Sequence, residues 1–225
     1  ALCPQQPMPS TADRSALNAH AGLQRALQLW QLNEANTAIW EWNAAYKTLN
    51  TEQQRKAVEM AQQIGWYDRA VFSLEAGEQN TRLYSLRFAT PYLTNFREAA
   101  TRFGIDLSWL MAHARAESIF MPDVVSSANA RGLLQLLPST AEAIAARNGL
   151  PWQGADSLYQ PEVNIPLGAG ALQEVIAMYS GKAYQAIAAY NAGPTATRRW
   201  IDARGNLEPE FWIETVPYKE TRDYI

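Results

Sequence analysis

Among the residues that could do acid–base chemistry, Glu117 has the most informative position. Leu110, Met111 and Ala114 lie on one face of a helix predicted to follow Asp106, and Glu117 continues this face. A carboxyl group on the buried side of a helix loses hydration, and the negative end of the helix dipole also disfavours its charge. Both effects raise its pKa, as a general acid that works near neutral pH requires. The same spacing also fits a terminal glutamate that bends out to solvent, and spacing alone does not separate these interpretations.

The composition favours a folded protein and excludes one class of partner. The 225 residues are 48% hydrophobic and 18% charged, which is enough for a buried core in one large domain or two small ones. The formal net charge is −3 and no dense cluster of lysine and arginine occurs, which argues against a nucleic-acid binder. The 8 tryptophans and 10 tyrosines fit packing between helices, and a few of them could line a sugar groove.

The cysteine, the histidines and the chain ends set further limits. Cys3 is the only cysteine, so no internal disulfide forms. One cysteine and two histidines are also too few ligands for the usual structural zinc site. No apolar run reaches the roughly 18 residues of a membrane-spanning helix. The first ten residues lack the features of a signal peptide, and the chain ends at Tyr224-Ile225 within a predicted helix. We therefore expect a piece of a longer protein, with any export signal outside it.

The first third of the chain reads as helical hairpins. Apolar residues recur at helical spacing between Ser15 and Gly77, and Thr51 with Gln54 resembles a capping box that opens one helix, which Gly65 ends. Two helix pairs of about 34 residues each are typical of a solenoid of the tetratricopeptide kind. The segment from Gly77 to Asn80 is the expected break after these helices.

The remainder of the chain also predicts helices, joined by irregular segments. No segment shows sustained period-two alternation, so the predicted fold class is all-α. We divide the chain into a helical-repeat region, residues 1–83, and a second domain, residues 84–225. Within the second domain we expect helices at Pro91 to Gly104, Asp106 to Glu117, Pro138 to Arg147, Ile165 to Tyr179 and Ala183 to Ala192, an irregular stretch from Met121 to Arg131, and a loop from Gly149 to Pro161.

Four segments of the second domain together carry a family resemblance. Taken together, and in the order in which they follow one another along the chain, these segments resemble the soluble lytic transglycosylases of bacterial cell walls, a branch of the lysozyme-like superfamily. The match covers roughly Tyr84 to the end, and the N-terminal helices resemble the last hairpins of the superhelical domain that precedes the catalytic domain. The segments are Ala114 to Ser118 (ARAES), Gly132 to Pro138 (GLLQLLP) followed by Thr140-Ala141, Ala189 to Pro194 (AYNAGP), and Glu214 to Tyr218 (ETVPY) with Glu220, Thr221 and Tyr224.

The resemblance implies a reaction with one catalytic carboxyl group and no cofactor. Enzymes of this family cut the β-1,4 bond between N-acetylmuramic acid and N-acetylglucosamine in peptidoglycan. Glu117 would donate a proton to the glycosidic oxygen and then, as a carboxylate, deprotonate the muramic acid C6 hydroxyl, which attacks C1 and closes a 1,6-anhydro ring. The nucleophile then belongs to the substrate, so proximity replaces the bound water of a hydrolase. The second carboxylate of most glycoside hydrolases is not needed.

The resemblance also implies substrate-binding residues around Glu117. Glu214 matches the acidic residue of the fourth segment, and the alternative for it is a charge pair between helices. Gln135 matches a polar groove residue, although its amide could equally bond the backbone. Asp123, six residues after Glu117, is interpreted as a loop residue. For Ser118 the alternative is a simple helix cap, and Leu137 replaces a methionine of some members. The other predicted substrate-binding residues are Ser118, Leu137, Tyr190, Asn191 and Tyr224.

Two alternatives to lyase-type cleavage stay open on the sequence. One is a hydrolase of the goose-lysozyme kind that cuts the same bond with water. The other is a glycan-binding scaffold whose helical repeats hold other cell-wall enzymes, for which Glu117 would be dispensable. In each case the expected partner is the glycan strand of peptidoglycan, and the resemblance implies a periplasmic location.

Overall fold

The structure, a computed structural model, describes residues 11–74 and 83–225, and its regular elements in these ranges are helices. Extended backbone pairs there only in two isolated bridges, at Arg131 with Val125 and with Leu136. The all-α prediction is confirmed. The chain divides into two compact units, residues 1–91 and 92–225, whereas the sequence placed the boundary after residue 83. The expected break from Gly77 to Asn80 and the first ten residues lie outside the described ranges.

The first unit is built on an aromatic core. Trp42 and Trp66 are fully buried, and Trp30 stacks on Trp66 with 4.7 Å between the ring centroids. The Trp42 indole nitrogen also donates a hydrogen bond to the Ser73 hydroxyl. Most tryptophans here therefore have a packing role. The helices of this unit are α1 (Thr11–Asn18), α2 (Ala21–Gln31), α3 (Ala35–Tyr46), α4 (Thr51–Gln63), α5 (Asp68–Phe72) and α6 (Tyr84–Arg87).

The start of α4 corrects the predicted capping box by one residue. Asn50, rather than Thr51, is the N-cap: its side chain accepts from the Gln53 backbone N–H, while the Gln53 side chain accepts from the Asn50 backbone N–H. Asn50 is preferred because its extended backbone aims the amide oxygen at the free N–H groups of the first turn. The end of α4 agrees with the prediction, since Gly65 follows it at φ +81°.

The second unit contains the four segments of the family resemblance. A long apolar helix, α10, packs against α7, α9 and α11, so that half of its 18 residues are buried. In the described ranges no helix combines the length and apolar character needed to cross a membrane. The helices of this unit are α7 (Leu93–Phe103), α8 (Leu107–Ser118), α9 (Pro138–Asn148), α10 (Pro161–Met178), α11 (Ala183–Ala192), α12 (Pro194–Arg204), α13 (Pro209–Glu214) and α14 (Lys219–Tyr224), with a 3-10 turn at Ala155–Tyr159.

The helix boundaries follow the capping signals with two corrections. Asp106 caps α8 by accepting from the Trp109 backbone N–H at 3.0 Å, as predicted. However, α7 begins at Leu93 rather than Pro91, because Tyr92 has a left-handed backbone (φ +54°) that cannot belong to the helix. Similarly, α10 begins at Pro161, earlier than predicted, because proline suits a first helical turn.

Candidate functional site

Glu117 lies in the last turn of α8 with its carboxyl group largely buried. The side chain is 13% exposed. Directly after α8, Ile119 and Phe120 both adopt left-handed backbone, at φ +52° and +61°. Such a conformation is strained for a β-branched residue and is common near functional sites. It ends the helix at Ser118, one residue after Glu117, and Glu117 lines a groove.

Burial shifts the pKa of Glu117 in the direction that an acid requires. Loss of hydration, together with a smaller contribution from the negative charge of Glu220, raises it from 4.5 to a net value of about 7. A hydrogen bond from Tyr224 acts in the opposite direction, because it stabilises the ionised form. At neutral pH a substantial fraction of Glu117 therefore carries a proton that it can give up.

Two aromatic side chains and a histidine surround the Glu117 carboxyl group. The Tyr224 hydroxyl donates to Oε1 of Glu117 at 2.6 Å. The imidazole of His113, one turn earlier on α8, lies edge-on to the Tyr190 ring with the centroids 4.2 Å apart, and its Nε2 is 3.9 Å from Oε1. Burial lowers the pKa of His113 to about 4, so the imidazole is neutral at the pH where Glu117 titrates.

The loop from Arg131 to Leu136 is held against three helices. Asn164 on α10 is fully buried; its amide oxygen accepts from the Leu134 backbone N–H at 2.8 Å, and its amide nitrogen donates to the Arg131 and Leu158 carbonyls. The Tyr190 hydroxyl donates to the Leu134 carbonyl at 2.8 Å. These bonds satisfy a buried loop backbone and fix its position beside Glu117.

Gly132 is required where this loop passes closest to its neighbours. Its φ is +75°, and a Cβ atom would lie 2.1 Å from the Leu158 carbonyl oxygen and 2.4 Å from Asn164 Nδ2. The structure therefore gives Gly132 a role in a close backbone approach, which no residue with a Cβ could fill without a shift of this contact.

Gln135 and Leu137 follow on the groove side of the loop. Gln135 has a left-handed backbone (φ +43°), and its amide nitrogen donates to the Val124 and Gly132 carbonyls. Backbone groups therefore hold the amide at the groove wall. Leu137 is 42% exposed, which is unusual for leucine and places an apolar surface on the same wall.

Asn191 anchors α14 to the groove. Its amide oxygen accepts from the buried Thr221 hydroxyl at 2.6 Å. Glu220 and Tyr224 are four residues apart and so share one face of α14, which faces Glu117. The pair Asn191–Thr221 thereby sets the position of both the acidic residue and the tyrosine.

The groove formed by these elements has a volume of about 600 Å³. An adjoining cavity of about 490 Å³ shares four of its residues (Gln135, Leu137, Tyr190 and Asn191) and continues it toward α10. The structure brings six predicted site residues together here, since Glu117 and Tyr224 line the groove with the four shared ones. The groove is lined by Ala116, Glu117, Val124, Ser126, Ser127, Ala128, Ala130, Gln135, Leu137, Tyr190, Asn191, Glu220 and Tyr224.

Two predicted site residues are not brought into the groove. Glu214 is exposed at the end of α13. Trp212 points into the core, and Glu214 follows it by two residues, which rotates its side chain by about 200° around the helix axis and directs it to solvent. Ser118 is 6% exposed, and its hydroxyl donates to the Ala114 and Leu133 carbonyls at 3.0 and 2.8 Å. Glu220 takes the acidic position in the groove, and Ser118 links α8 to the loop.

Sequence reasoning missed three residues of this site. His113 precedes Glu117 by four residues and so lies on the same helical face, a signal that was available. Glu220 likewise precedes Tyr224 by four residues, so the two lie on the same face of their helix, and this signal was also available. Asn164 had no comparable signal, because its partners lie up to 33 residues away in the chain.

The comparison with protein families shows the family of the chain. A family model described as "Transglycosylase SLT domain" matches residues 94–213, more than half of the chain. The chain belongs to the SLT transglycosylase family. A second model, "Soluble lytic murein transglycosylase L domain", matches residues 16–80.

Individual relatives agree with the family. The soluble lytic murein transglycosylase of Salmonella typhimurium is 33% identical over 213 residues, which is 94% of this chain and 33% of the relative. The lytic transglycosylase Slt of Pseudomonas aeruginosa has been solved as an inactive mutant. Its match covers 98% of this chain and 36% of the solved chain, with a TM-score of 0.81 and 30% sequence identity. The 70-kDa soluble lytic transglycosylase of Escherichia coli gives a TM-score of 0.80 at 30% identity over the same shares. This chain thus spans about one third of the length of these SLT relatives.

Proposed function

We propose that this chain is the catalytic portion of a lytic murein transglycosylase that cleaves peptidoglycan glycan strands. The observation that carries the proposal is the buried Glu117 carboxyl group, whose raised pKa of about 7 and contact with Tyr224 suit a general acid. Family membership supports the substrate, since relatives over almost the whole chain are named soluble lytic murein transglycosylases. Murein lies in the periplasm, which is therefore the expected site of action.

The proposed reaction uses one carboxyl group twice. Glu117 donates its proton to the glycosidic oxygen as the C1–O bond breaks, and the substrate's N-acetyl group assists at C1. The Glu117 carboxylate then takes the proton of the muramic acid C6 hydroxyl while that oxygen bonds to C1. The product is a 1,6-anhydro ring, no water is consumed, and Glu117 regains its starting state. The negative charge of Glu220 in the same groove would favour the positive charge that develops at C1.

Glu214 and Ser118 have no direct part in this proposal, because neither lines the groove. Gln135, Leu137, Tyr190 and Asn191 form the wall shared with the adjoining cavity, so we propose that they contact the sugars next to the cleaved bond. The solved Slt of Pseudomonas aeruginosa is an inactive mutant in which one glutamate is replaced by glutamine, and this supports a single essential glutamate in the fold.

The deciding experiment is digestion of purified sacculi followed by mass spectrometry of the released muropeptides. We expect products one water lighter than reducing-end muropeptides, and Glu117→Gln should lower the rate by several orders of magnitude while the fold is kept. Glu214→Gln is the matched control, because this glutamate is exposed outside the groove, and it should retain the wild-type rate.

Other results would favour the alternatives. Reducing ends that incorporate water would identify a hydrolase of the goose-lysozyme kind. Binding to sacculi without soluble products, unchanged by Glu117→Gln, would identify a glycan-binding scaffold. Either result would overturn the proposed lyase.

A further inference from the structure

Two arginines of α12 line a cavity beyond the groove that the proposed reaction does not use. Arg198 and Arg199 border a space of about 370 Å³, which we call the arginine cavity. Met178 and Pro194 line both this space and the cavity that adjoins the groove. The three spaces therefore follow one another along the surface of the second unit, from Glu117 to the two arginines.

Both arginines lie on the face of α12 that borders this cavity. Pro194 and Thr195 each precede one of them by four residues and line the same space. The opposite wall is Tyr179, which is 7% exposed and whose hydroxyl donates to the Pro194 carbonyl at 3.3 Å. Burial raises the pKa of Tyr179 and the charge of Arg198 acts against this rise, so the guanidinium lies near the phenol. The cavity thus joins a fixed apolar wall to two cations.

The protein does not neutralise these two cations within the described ranges. Neither guanidinium has a carboxylate at ion-pair distance or a hydrogen-bond partner there. Glu174, the acid that lines the adjoining cavity, is already bonded through both oxygens to Arg147 at 2.8 Å. Because Arg198 and Arg199 are exposed, their N–H donors are available to an anion from outside the chain.

We propose that the arginine cavity binds a carboxylate of the peptides that peptidoglycan carries on its muramic acid residues. The sugars of the strand are neutral, and the free carboxylates of these peptides supply its negative charge. A guanidinium binds a carboxylate through two parallel N–H···O bonds, and the wall formed by Met178 and Tyr179 offers apolar contact to the peptide. Arg198 and Arg199 are then specificity-determining residues for peptide-bearing strands. This inference rests on the proposed function, since it takes the glycan to lie in the groove.

The test measures binding of the Glu117→Gln chain, which should not cleave its ligand, by isothermal titration calorimetry. The ligands are two soluble glycan fragments of equal length, one with its peptides and one from which an amidase has removed them. We expect a Kd about fivefold lower for the peptide-bearing fragment, because the two arginine contacts are exposed to solvent. Arg198→Gln combined with Arg199→Gln should remove most of this preference and leave the Kd of the peptide-free fragment within about twofold.

Two controls separate the carboxylate from other causes. Arg204→Gln should keep the full preference, because this arginine is exposed on the same helix but does not line the cavity. A fragment whose peptide carboxylates are converted to amides should bind as weakly as the peptide-free fragment. The preference should also shrink at roughly 500 mM NaCl, since exposed ion pairs are screened.

Three results would overturn the inference. They are an equal Kd for the two fragments in the parent chain, a preference that the double variant retains, and a double variant that loses affinity equally for both fragments. The last result would mean that the arginines serve the fold or the binding of sugars. Failure of the proposed function would appear elsewhere, as activity that Glu117→Gln retains in sacculus digestion.

Discussion

At the residue scale, burial acts on two neighbouring groups of α8 in opposite directions. It raises the pKa of Glu117 to about 7 and lowers the pKa of His113 to about 4, because in each case the charged form loses hydration. One environment therefore produces a protonated acid and a neutral imidazole. Tyr224 connects the two, and its hydrogen bond limits how far the pKa of Glu117 rises.

The raised pKa of Glu117 predicts a pH-dependent stability difference. The folded state binds this proton more tightly than the unfolded state, so stability is fully present below pH 4.5 and is lost as pH rises through about 7. Glu117→Gln should therefore increase the free energy of unfolding by about 3 kcal/mol at pH 8 and change it little at pH 4. Urea denaturation at the two pH values measures this difference.

The exposed Glu214 provides the comparison for this prediction. Glu214→Gln should leave the free energy of unfolding within about 0.5 kcal/mol of wild type at both pH values, because its charge stays hydrated. If the free energy of unfolding rose equally in Glu117→Gln and Glu214→Gln at pH 8, the change in net charge, and not the burial of Glu117, would be the cause of the stabilisation.

At the element scale, the groove depends on one loop held by side chains from distant helices. The segment from Arg131 to Leu136 has too few backbone partners of its own, with only isolated bridges to Val125 and within the loop. Asn164 of α10 makes two hydrogen bonds to this loop and a third to the Leu158 carbonyl, and Ser118 and Tyr190 supply one link each to the loop. The loop is therefore as fixed as the helices that hold it, which is what a precise groove wall requires.

We expect Asn164→Ala to destabilise the protein by about 3 kcal/mol, since the Leu134 N–H and the Leu158 carbonyl lose this partner and the Arg131 carbonyl keeps only the bond from the Leu136 N–H. Thermal and urea unfolding measure the loss. Asn148→Ala is the matched control, because the Asn148 amide makes a single bond to the Ile144 carbonyl at the end of α9. It should cost about 1 kcal/mol or less. Equal losses for the two variants would contradict the special role of Asn164.

At the scale of the whole molecule, the charge distribution suits a neutral sugar chain. The net charge is −3, and the described residues that line the groove include Glu117 and Glu220 but no lysine or arginine. Long-range attraction of an anionic polymer is thus absent. Recognition must rest on hydrogen bonds and on apolar surfaces such as Leu137 and Tyr190, which face the same cavity.

This charge pattern predicts weak salt dependence. The Kd of Glu117→Gln for a neutral oligosaccharide of N-acetylglucosamine should change by less than about twofold between roughly 50 and 500 mM NaCl, because contacts inside the groove are little screened. Isothermal titration calorimetry measures it. A steep loss of affinity with salt would mean that charges outside the groove take part in binding.

The sequence by itself determined the helical character of the chain, the ends of α8, α9 and α11 to within about one residue, and the candidate acid. Helical periodicity and capping depend on residues within a few positions of each other, so they can be read locally, as Asp106 and Pro138 show. The errors at other ends are one to four residues: the N-cap of α4 is Asn50 instead of Thr51, α7 begins at Leu93 instead of Pro91, and α10 begins at Pro161 instead of Ile165.

Only the tertiary structure decided which side chains face Glu117. α13 and α14 are each six residues long, so packing of Trp212 and Thr221 sets their rotation. As a result, Glu220 lines the groove and Glu214 does not. The neutral state of His113 and the inward Ser118 hydroxyl likewise depend on burial by segments far away in the chain. A short helix carries too little periodicity to fix its own orientation, and burial is a property of the packed whole.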